Sequence, residues 1–209
     1  MEQYFLEAEH PTAPGSKQAA ALMALAGILD AEKANAEVLS IEGARGFSTF
    51  YGYYMLQAMA KAGNYEGAMQ VIRDFWGGML DMGATSFWED FNIDWLPNAA
   101  PINELVPEGK KDIHGDFGAY CYEGFRHSLC HGWASGPTAW MIEHVLGVEV
   151  VEAGGKVVRI TPHLGDLQWA KGSFPTPYGD IIISHERKAD GSVKSKIEAP
   201  RGVKIIREE

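Results

Sequence analysis

The first half of the chain reads in threes and fours. In "SKQAAALMALAGILD" the apolar positions Ala20, Met23 and Gly27, and Leu22, Leu25 and Leu29, recur at helical spacing, with Ser16 at the start. Asp30 is placed to cap a second helix, "AEKANAEVLS". A third, "STFYGYYMLQAMAKAG", has Ser48 or Thr49 near its start and Gly63 as its stop. Asn64 caps a fourth, "YEGAMQVIRDFWGGMLDM", whose stripe is Ala68, Ile72, Phe75, Trp76 and Met79, and Gly83 ends it. Short connections and no intervening strand predict antiparallel helical layers. From Asp90 to about Phe125 the period is lost among Pro, Gly and Asn. Helical character returns around "RHSLCHGWAS", and again after Gly136, with Pro137 in a first turn and Gly147 as the stop.

Past "EAGGK" the period becomes two. "KVVRITPH", "LQWAKGSF", "DIIISHERK", "SVKSKIEA" and "GVKIIRE" predict short strands, and "ADGS" a hairpin turn. The expected fold is therefore mainly α with a small antiparallel β appendage. Residues 1–150 form the helical region and 151–209 the β unit. At about 60 residues that unit is small for independence and is expected to pack on the helices.

Charge sharpens this division. Of 18 basic and 28 acidic residues, 10 and 8 lie in 151–209, leaving 8 and 20 in 1–150. So acidic a surface repels phosphate backbones and argues against a nucleic-acid partner. No apolar run is long enough to span a bilayer, and residues 1–20 lack the pattern of a signal peptide; a cytoplasmic or a periplasmic location fits both. Cys121 and Cys130 form no CxxC, and "HSLCH", with His127 and His131, has no zinc spacing. Two free, partly buried thiols and no metal are expected, with a disulfide as the alternative if the chain is exported.

The informative stretch is "GATSFWEDF", residues 83–91. Just past a helix stop it sets Phe87 and Trp88 directly before Glu89 and Asp90. Sugar chemistry uses both kinds of group: an apolar face for the ring and a carboxylate for the bond. Against a wall of Trp88 and Phe87 a carboxylate can serve as a base near neutral pH. The plainer reading is that Glu89 or Asp90 caps the next element while Phe87 and Trp88 are core. His131, beside Trp133, is placed to donate to a sugar hydroxyl or to be a structural histidine; His127 and His114 carry less weight. Trp95, Trp133, Phe50 and Tyr51 can supply stacking faces, whereas Trp76 and Trp140 fall at core spacing.

Five segments in order resemble the α-L-rhamnosidases of glycoside hydrolase family 78. "GATSFWE" resembles their "GAT-x-x-WE". "SKQAAALMALAGILD" and "FSTFYGYYMLQAMAKAGNYEGAMQVI" are similar to the helices before it. "HSLCHGWASGPTAWMIEHVLG" is similar to their "S-x-N-H-x-x-x-G" helix, and "VRITPHLGDLQWAKGSFPTPYGDIIISHER" to the closing β unit with its "T-P-Y-G" core.

The resemblance implies an (α/α)6 barrel followed by a β-sandwich, and inverting hydrolysis of terminal α-L-rhamnosyl residues without a cofactor or metal. It makes Glu89 the general base and His131 a rhamnose contact, with Trp88, Trp95 and Tyr51 as further substrate-binding candidates. Cys130 stands where the family has asparagine, and the stretch from Asp90 to Phe125 is longer than in many members. The family's general-acid motif, of the form "D-x-x-x-x-D/E-R-x-G-W", has no match here; Glu7 and Glu9 do not fit it. About half of the barrel's helices are present. The expectation is a C-terminal fragment lacking the acid, acting on a rhamnose-containing glycoside. Its expected protein partner is the N-terminal half of the barrel or a second copy. The alternatives are a non-catalytic sugar-binding or structural remnant, and a subunit that completes its barrel with another chain.

Thiol titration of the denatured, unreduced protein is expected to report two thiols. Finding none, or stoichiometric zinc by elemental analysis, would remove the free-thiol reading.

Overall fold

The structure is a computed structural model that describes residues 15–113 and 128–207. The chain divides into two compact units between Pro137 and Thr138.

In the first unit, helix α1 (Lys17–Leu25) starts where Ser16 Oγ accepts from the Ala19 amide, leaving one fewer orphan donor in the first turn. It is shorter than its apolar stripe predicts. Gly27 adopts a φ of 74° and closes the turn instead of extending the stripe. Helix α2 (Ala31–Ala34) has the predicted Asp30 cap, whose carboxylate accepts from the Lys33 amide at 2.8 Å. It runs on as a wider π-type turn, Asn35–Leu39. Helix α3 (Gly52–Lys61) ends ahead of Gly63, at φ 75°. Asn64 then caps α4, its side chain accepting from the Gly67 amide at 3.0 Å. Helix α4 continues through Tyr65–Val71, a π-type turn Ile72–Trp76, and Gly77–Asp81.

Small residues let these helices approach closely. Ala21 and Ala24 of α1 and Ala58 of α3 are fully buried, and α1 packs on α3. Lys61 Nζ reaches from α3 to donate to the Ala24 carbonyl at 2.8 Å, occupying an acceptor at the C-terminal end of α1. Where α3 crosses α4, a Cβ on Gly52 would lie 2.6 Å from the Trp76 ring. Leu39, Met55, Leu56, Phe75 and Met79 complete the core. Truncating such a residue to Ala costs about 2–5 kcal/mol, because the space left cannot refill.

The region after α4 is irregular, as its composition predicts. Its described part holds one 3-10 turn (Ile93–Asn98) and a two-residue parallel pair, β1 (Ala99–Ala100) with β2 (Lys111–Asp112). The expectation of helix from Arg126 fails in its described part. Residues 128–131 are not helical, and a 3-10 turn begins at Gly132 (Gly132–Ser135). Local chemistry explains this. Ser128 Oγ accepts from the Cys130 amide at 3.2 Å and donates to the Cys130 carbonyl at 3.1 Å, competing with helical bonding.

Helix α5 (Gly136–Trp140, then a π-type turn Met141–Val145) carries the chain into the second unit and stops at Gly147, at φ 72°. A Cβ there would lie 2.2 Å from Thr161 backbone atoms, so only glycine fits. Six strands follow: β3 (Val148–Val150), β4 (Val157–Ile160), β5 (Trp169–Thr176), β6 (Gly179–Arg187), β7 (Val193–Glu198) and β8 (Lys204–Arg207). The last five correspond to the five predicted runs. β3 has no counterpart among them, since three residues after a helix stop are too few to show a period.

Strands β5, β6 and β7 form an antiparallel sheet. Strands β3, β4 and β8 form another, in which β4 and β8 run parallel. That parallel pair departs from the all-antiparallel expectation. The alternation of β6 turns Ile181, Ile183 and His185 inward and Ile182 and Glu186 outward. At the predicted "ADGS" turn, Gly191 takes φ 84°, and the Asp190 carboxylate accepts from the Ser192 amide at 2.9 Å. No described helix is long and apolar enough to cross a membrane.

His185 is fully buried. The Leu146 carbonyl, 3.1 Å from Nε2, requires the proton on that nitrogen, so Nδ1 accepts from the Ser195 hydroxyl at 2.7 Å. Burial lowers its pKa from 6.5, the Leu146 hydrogen bond opposes this, and Arg207 adds to the lowering. A histidine with a depressed folded pKa binds fewer protons than the unfolded chain. Its contribution is full above the unfolded pKa and is lost as pH falls below it. The melting temperature should therefore drop between about pH 7.5 and about pH 5.5. His185→Gln, less stable at the higher pH, should drop less over the same interval. Equal drops would show that His185 does not carry the effect.

Candidate functional site

The loop after α4 is set by two bonds at its start. The Gly83 amide bonds the Leu80 carbonyl at 2.9 Å, and the Ala84 amide bonds the Met79 carbonyl at 3.0 Å, with Gly83 at φ 89°. The chain then drives Trp88 into the core, where it is 0% exposed and lies 6.2 Å from Phe91. Phe91 in turn meets Phe75 at 5.2 Å. Trp88 therefore has no face to offer a sugar. The expectation that it contacts substrate is corrected: it is the anchor of the loop. Trp95 rests on Phe91 at 5.9 Å and so extends this same aromatic group.

Glu89 follows the anchor and stays reachable, its side chain 20% exposed. It is bound to residues far away in sequence. Its amide donates to the Ser128 carbonyl at 2.9 Å, and the His131 amide donates to the Phe87 carbonyl at 2.8 Å, so residues 87–89 and 128–131 run side by side. The Ser128 amide donates to Glu89 Oε2 at 2.8 Å. The Glu89 carbonyl accepts from Trp133 Nε1 at 2.8 Å and from the Thr49 hydroxyl. His131 Nδ1 stands 3.8 Å from Oε2, too far for a hydrogen bond but close enough to interact if charged.

Beside this carboxylate lies an aromatic surface. The rings of His131 and Trp133 are 4.1 Å apart, Phe50 is 5.6 Å from Trp133, and Tyr51 is 4.9 Å from Phe50. Trp133, Phe50 and Tyr51 are each about 40% exposed. Thus Glu89, His131 and, through Phe50 and Trp133, Tyr51 come together.

Thr49, expected near the start of a helix, has a different task. The helix begins at Gly52 without a side-chain cap, and the Thr49 hydroxyl goes to Glu89. Neither this bond nor that of Ser128 left a sequence signal, since each joins positions about forty residues apart.

Cys130 is free but exposed, which corrects the expectation of a partly buried thiol, and its sulfur accepts from Ser86 Oγ at 3.4 Å. Cys121, His114 and His127 lie outside the described residues. Among the described residues no group of three or more His, Cys, Asp or Glu is arranged to hold a metal. A separate cavity of about 340 Å³ is lined by Ser16, Lys17, Glu42 and Arg45 among others. Its cations are committed: Lys17 Nζ donates to the Gly43 carbonyl at 2.6 Å, and Arg45 pairs with Asp94 at 2.7 Å. Burial pushes the Lys17 ammonium down to about 8, against the pull of Glu42.

Residues 147–206 match the family model of the bacterial α-L-rhamnosidase C-terminal domain. An α-L-rhamnosidase of Alteromonas sp. (strain LOR) is 29% identical over 128 residues, 61% of this chain and 12% of that protein. The crystal structure of a family 78 rhamnosidase of Bacillus sp. GL1 matches with a TM-score of 0.70 and 28% identity, over 92% of this chain and 19% of that one. The α-L-rhamnosidase of Streptomyces avermitilis, solved in complex with L-rhamnose, shares the fold with a TM-score of 0.72 at 15% identity, over 98% of this chain and 19% of its own. The chain thus spans about a fifth or less of the length of these relatives. On the family model, the Alteromonas relative and the Bacillus structure together, the chain is similar to the C-terminal part of the α-L-rhamnosidases of glycoside hydrolase family 78.

Proposed function

We propose that this chain supplies the general base and part of the sugar platform of an inverting α-L-rhamnosidase. One observation carries the reading: a partly exposed carboxylate, Glu89, is held at one oxygen by the Ser128 amide beside the exposed surface of Trp133, Phe50 and Tyr51. An anchored carboxylate next to aromatic faces suits a reaction in which a water must be aimed at a sugar ring. Glu89 takes a proton from that water as it attacks the anomeric carbon, and His131 donates to a ring hydroxyl. The leaving oxygen receives its proton from a carboxylic acid, and inverting enzymes hold the two carboxyl groups ~6.5–9.5 Å apart to admit the water.

In this reading the helical unit is the C-terminal half of an (α/α)6 barrel, and the strands form the β-sandwich that follows it. The acid and the remaining walls come from outside this chain. The substrate is a glycoside ending in α-L-rhamnose.

L-Rhamnose titrated into the isotopically labelled chain should perturb the Trp133 indole and His131 resonances. No response at either would remove the sugar reading. The chain alone should not turn over p-nitrophenyl α-L-rhamnoside, because positioning supplies much of an enzyme's advantage and small misplacements cost ~10²-fold. Steady turnover that vanishes in Glu89→Gln would show instead that the chain brings its own acid. In an assembly with the rest of the barrel, Glu89→Gln should lower kcat at least ~10²-fold, the usual range for a general base. Asp90→Asn should do less; the reverse order would transfer the role to Asp90.

A further inference from the structure

Glu89 is held more completely than a loop residue needs to be. Its amide, its carbonyl and one carboxylate oxygen all have partners, drawn from the segment before α3 and from residues 128–133. Its other carboxylate oxygen, Oε1, accepts from no described residue. We infer that Thr49 and Trp133 are positioning residues for Glu89, and that they leave Oε1 as the oxygen that receives the proton. This rests on the reading of Glu89 as a base.

The argument is geometric. A carbonyl oxygen has two lone pairs, and here both are engaged, by a hydroxyl and an indole N–H. Two donors converging from different parts of the chain fix the peptide plane after Glu89, which neither could do alone. The Glu89 amide bond to Ser128 fixes the plane before it. With both planes held, the Glu89 Cα and Cβ are fixed, and the Ser128 amide, itself part of the paired segment, then catches the carboxylate at Oε2. His131 Nδ1 flanks that same oxygen, which leaves Oε1 the less encumbered one.

Thr49 is buried, so its hydroxyl needs a partner, and the Glu89 carbonyl provides it. Trp133 has two functions. Its N–H holds Glu89 while its ring, with His131 and Phe50, forms the aromatic surface. The bond therefore fixes the tilt of the platform relative to the base.

If these bonds only glued the loop, removing one would lower stability and leave the Ser128 amide on Oε2. A positioning role predicts that this amide moves. The readout is the Ser128 amide resonance in the labelled 209-residue chain near neutral pH, with Glu89→Gln marking the signal of the lost charged acceptor. Thr49→Val, which keeps shape and removes the donor, should shift that resonance toward the Glu89→Gln position and speed its hydrogen exchange roughly 10-fold, as expected for losing a charged acceptor. Thr49→Ser should restore the wild-type signal. Trp133→Phe, at a position about 40% exposed, should act in the same direction as Thr49→Val and decides the matter if that variant does not fold. A Ser128 amide unmoved in the folded variants would overturn the inference. L-Rhamnose titration of the wild-type chain keeps the two questions apart. A shifted Ser128 amide with no sugar response would sink the rhamnosidase reading and leave the positioning role standing.

Discussion

The burial of Trp88 is the constraint on which the site depends. Trp88 goes inward against Phe91, while its chain neighbours Phe87 and Glu89 stay partly exposed. A large indole buried in this way contributes about 3–5 kcal/mol, judged by the cost of truncating it, and resists the loop motion that would blur a carboxylate's position. A carboxylate carried on a loop keeps a fixed place only if something other than the loop holds it. Here the core does it, through the residue next door. The pairing of 87–89 with 128–131 then adds direction to that anchorage.

The second unit is organised by a different logic. Arg187, at the end of β6, donates to the carbonyls of Gly165, Leu167 and Gly191, tying the approach to β5 and the β6–β7 hairpin to one side chain. Its guanidinium presents several donors in a fixed fork, which lets one residue gather three carbonyls from two loops. The end of α5 presses on β5: a Cβ on Gly172 would sit 2.5 Å from Leu146 Cδ1. His185 reaches the same helix end through the Leu146 carbonyl. The unit therefore includes the end of α5 as well as strands.

Much of the fold was legible because capping and period are local. Ser16, Asp30 and Asn64 each accept an amide three residues ahead, and Gly63, Gly83 and Gly147 each take the left-handed backbone that ends a helix. Five strands showed their period of two. What was not legible depended on distant partners. Ser128 leaves the helical pattern through its own side-chain bonds and through pairing with Glu89, a position 39 residues away. Thr49 reads as a cap and serves a carbonyl 40 residues on. Of the candidate site, the sequence offered Glu89, His131 and Tyr51 as types beside aromatics, and their nearness in space was not legible in it. Trp88 was misplaced because a tryptophan next to an acid looks the same in sequence whether it faces inward or outward.

The parallel pairing of β4 with β8 bears on the order in which the second unit assembles. Strands β5, β6 and β7 are joined by tight turns and can zip together from neighbours, whereas β8 must return across all three of them to reach β4. Closing so long a segment costs entropy before any contact rewards it. The hairpins should therefore form early, and β8 should act as a latch that completes the unit last. Until it arrives, one edge of β4 stays open to strand addition by any chain that offers a matching register.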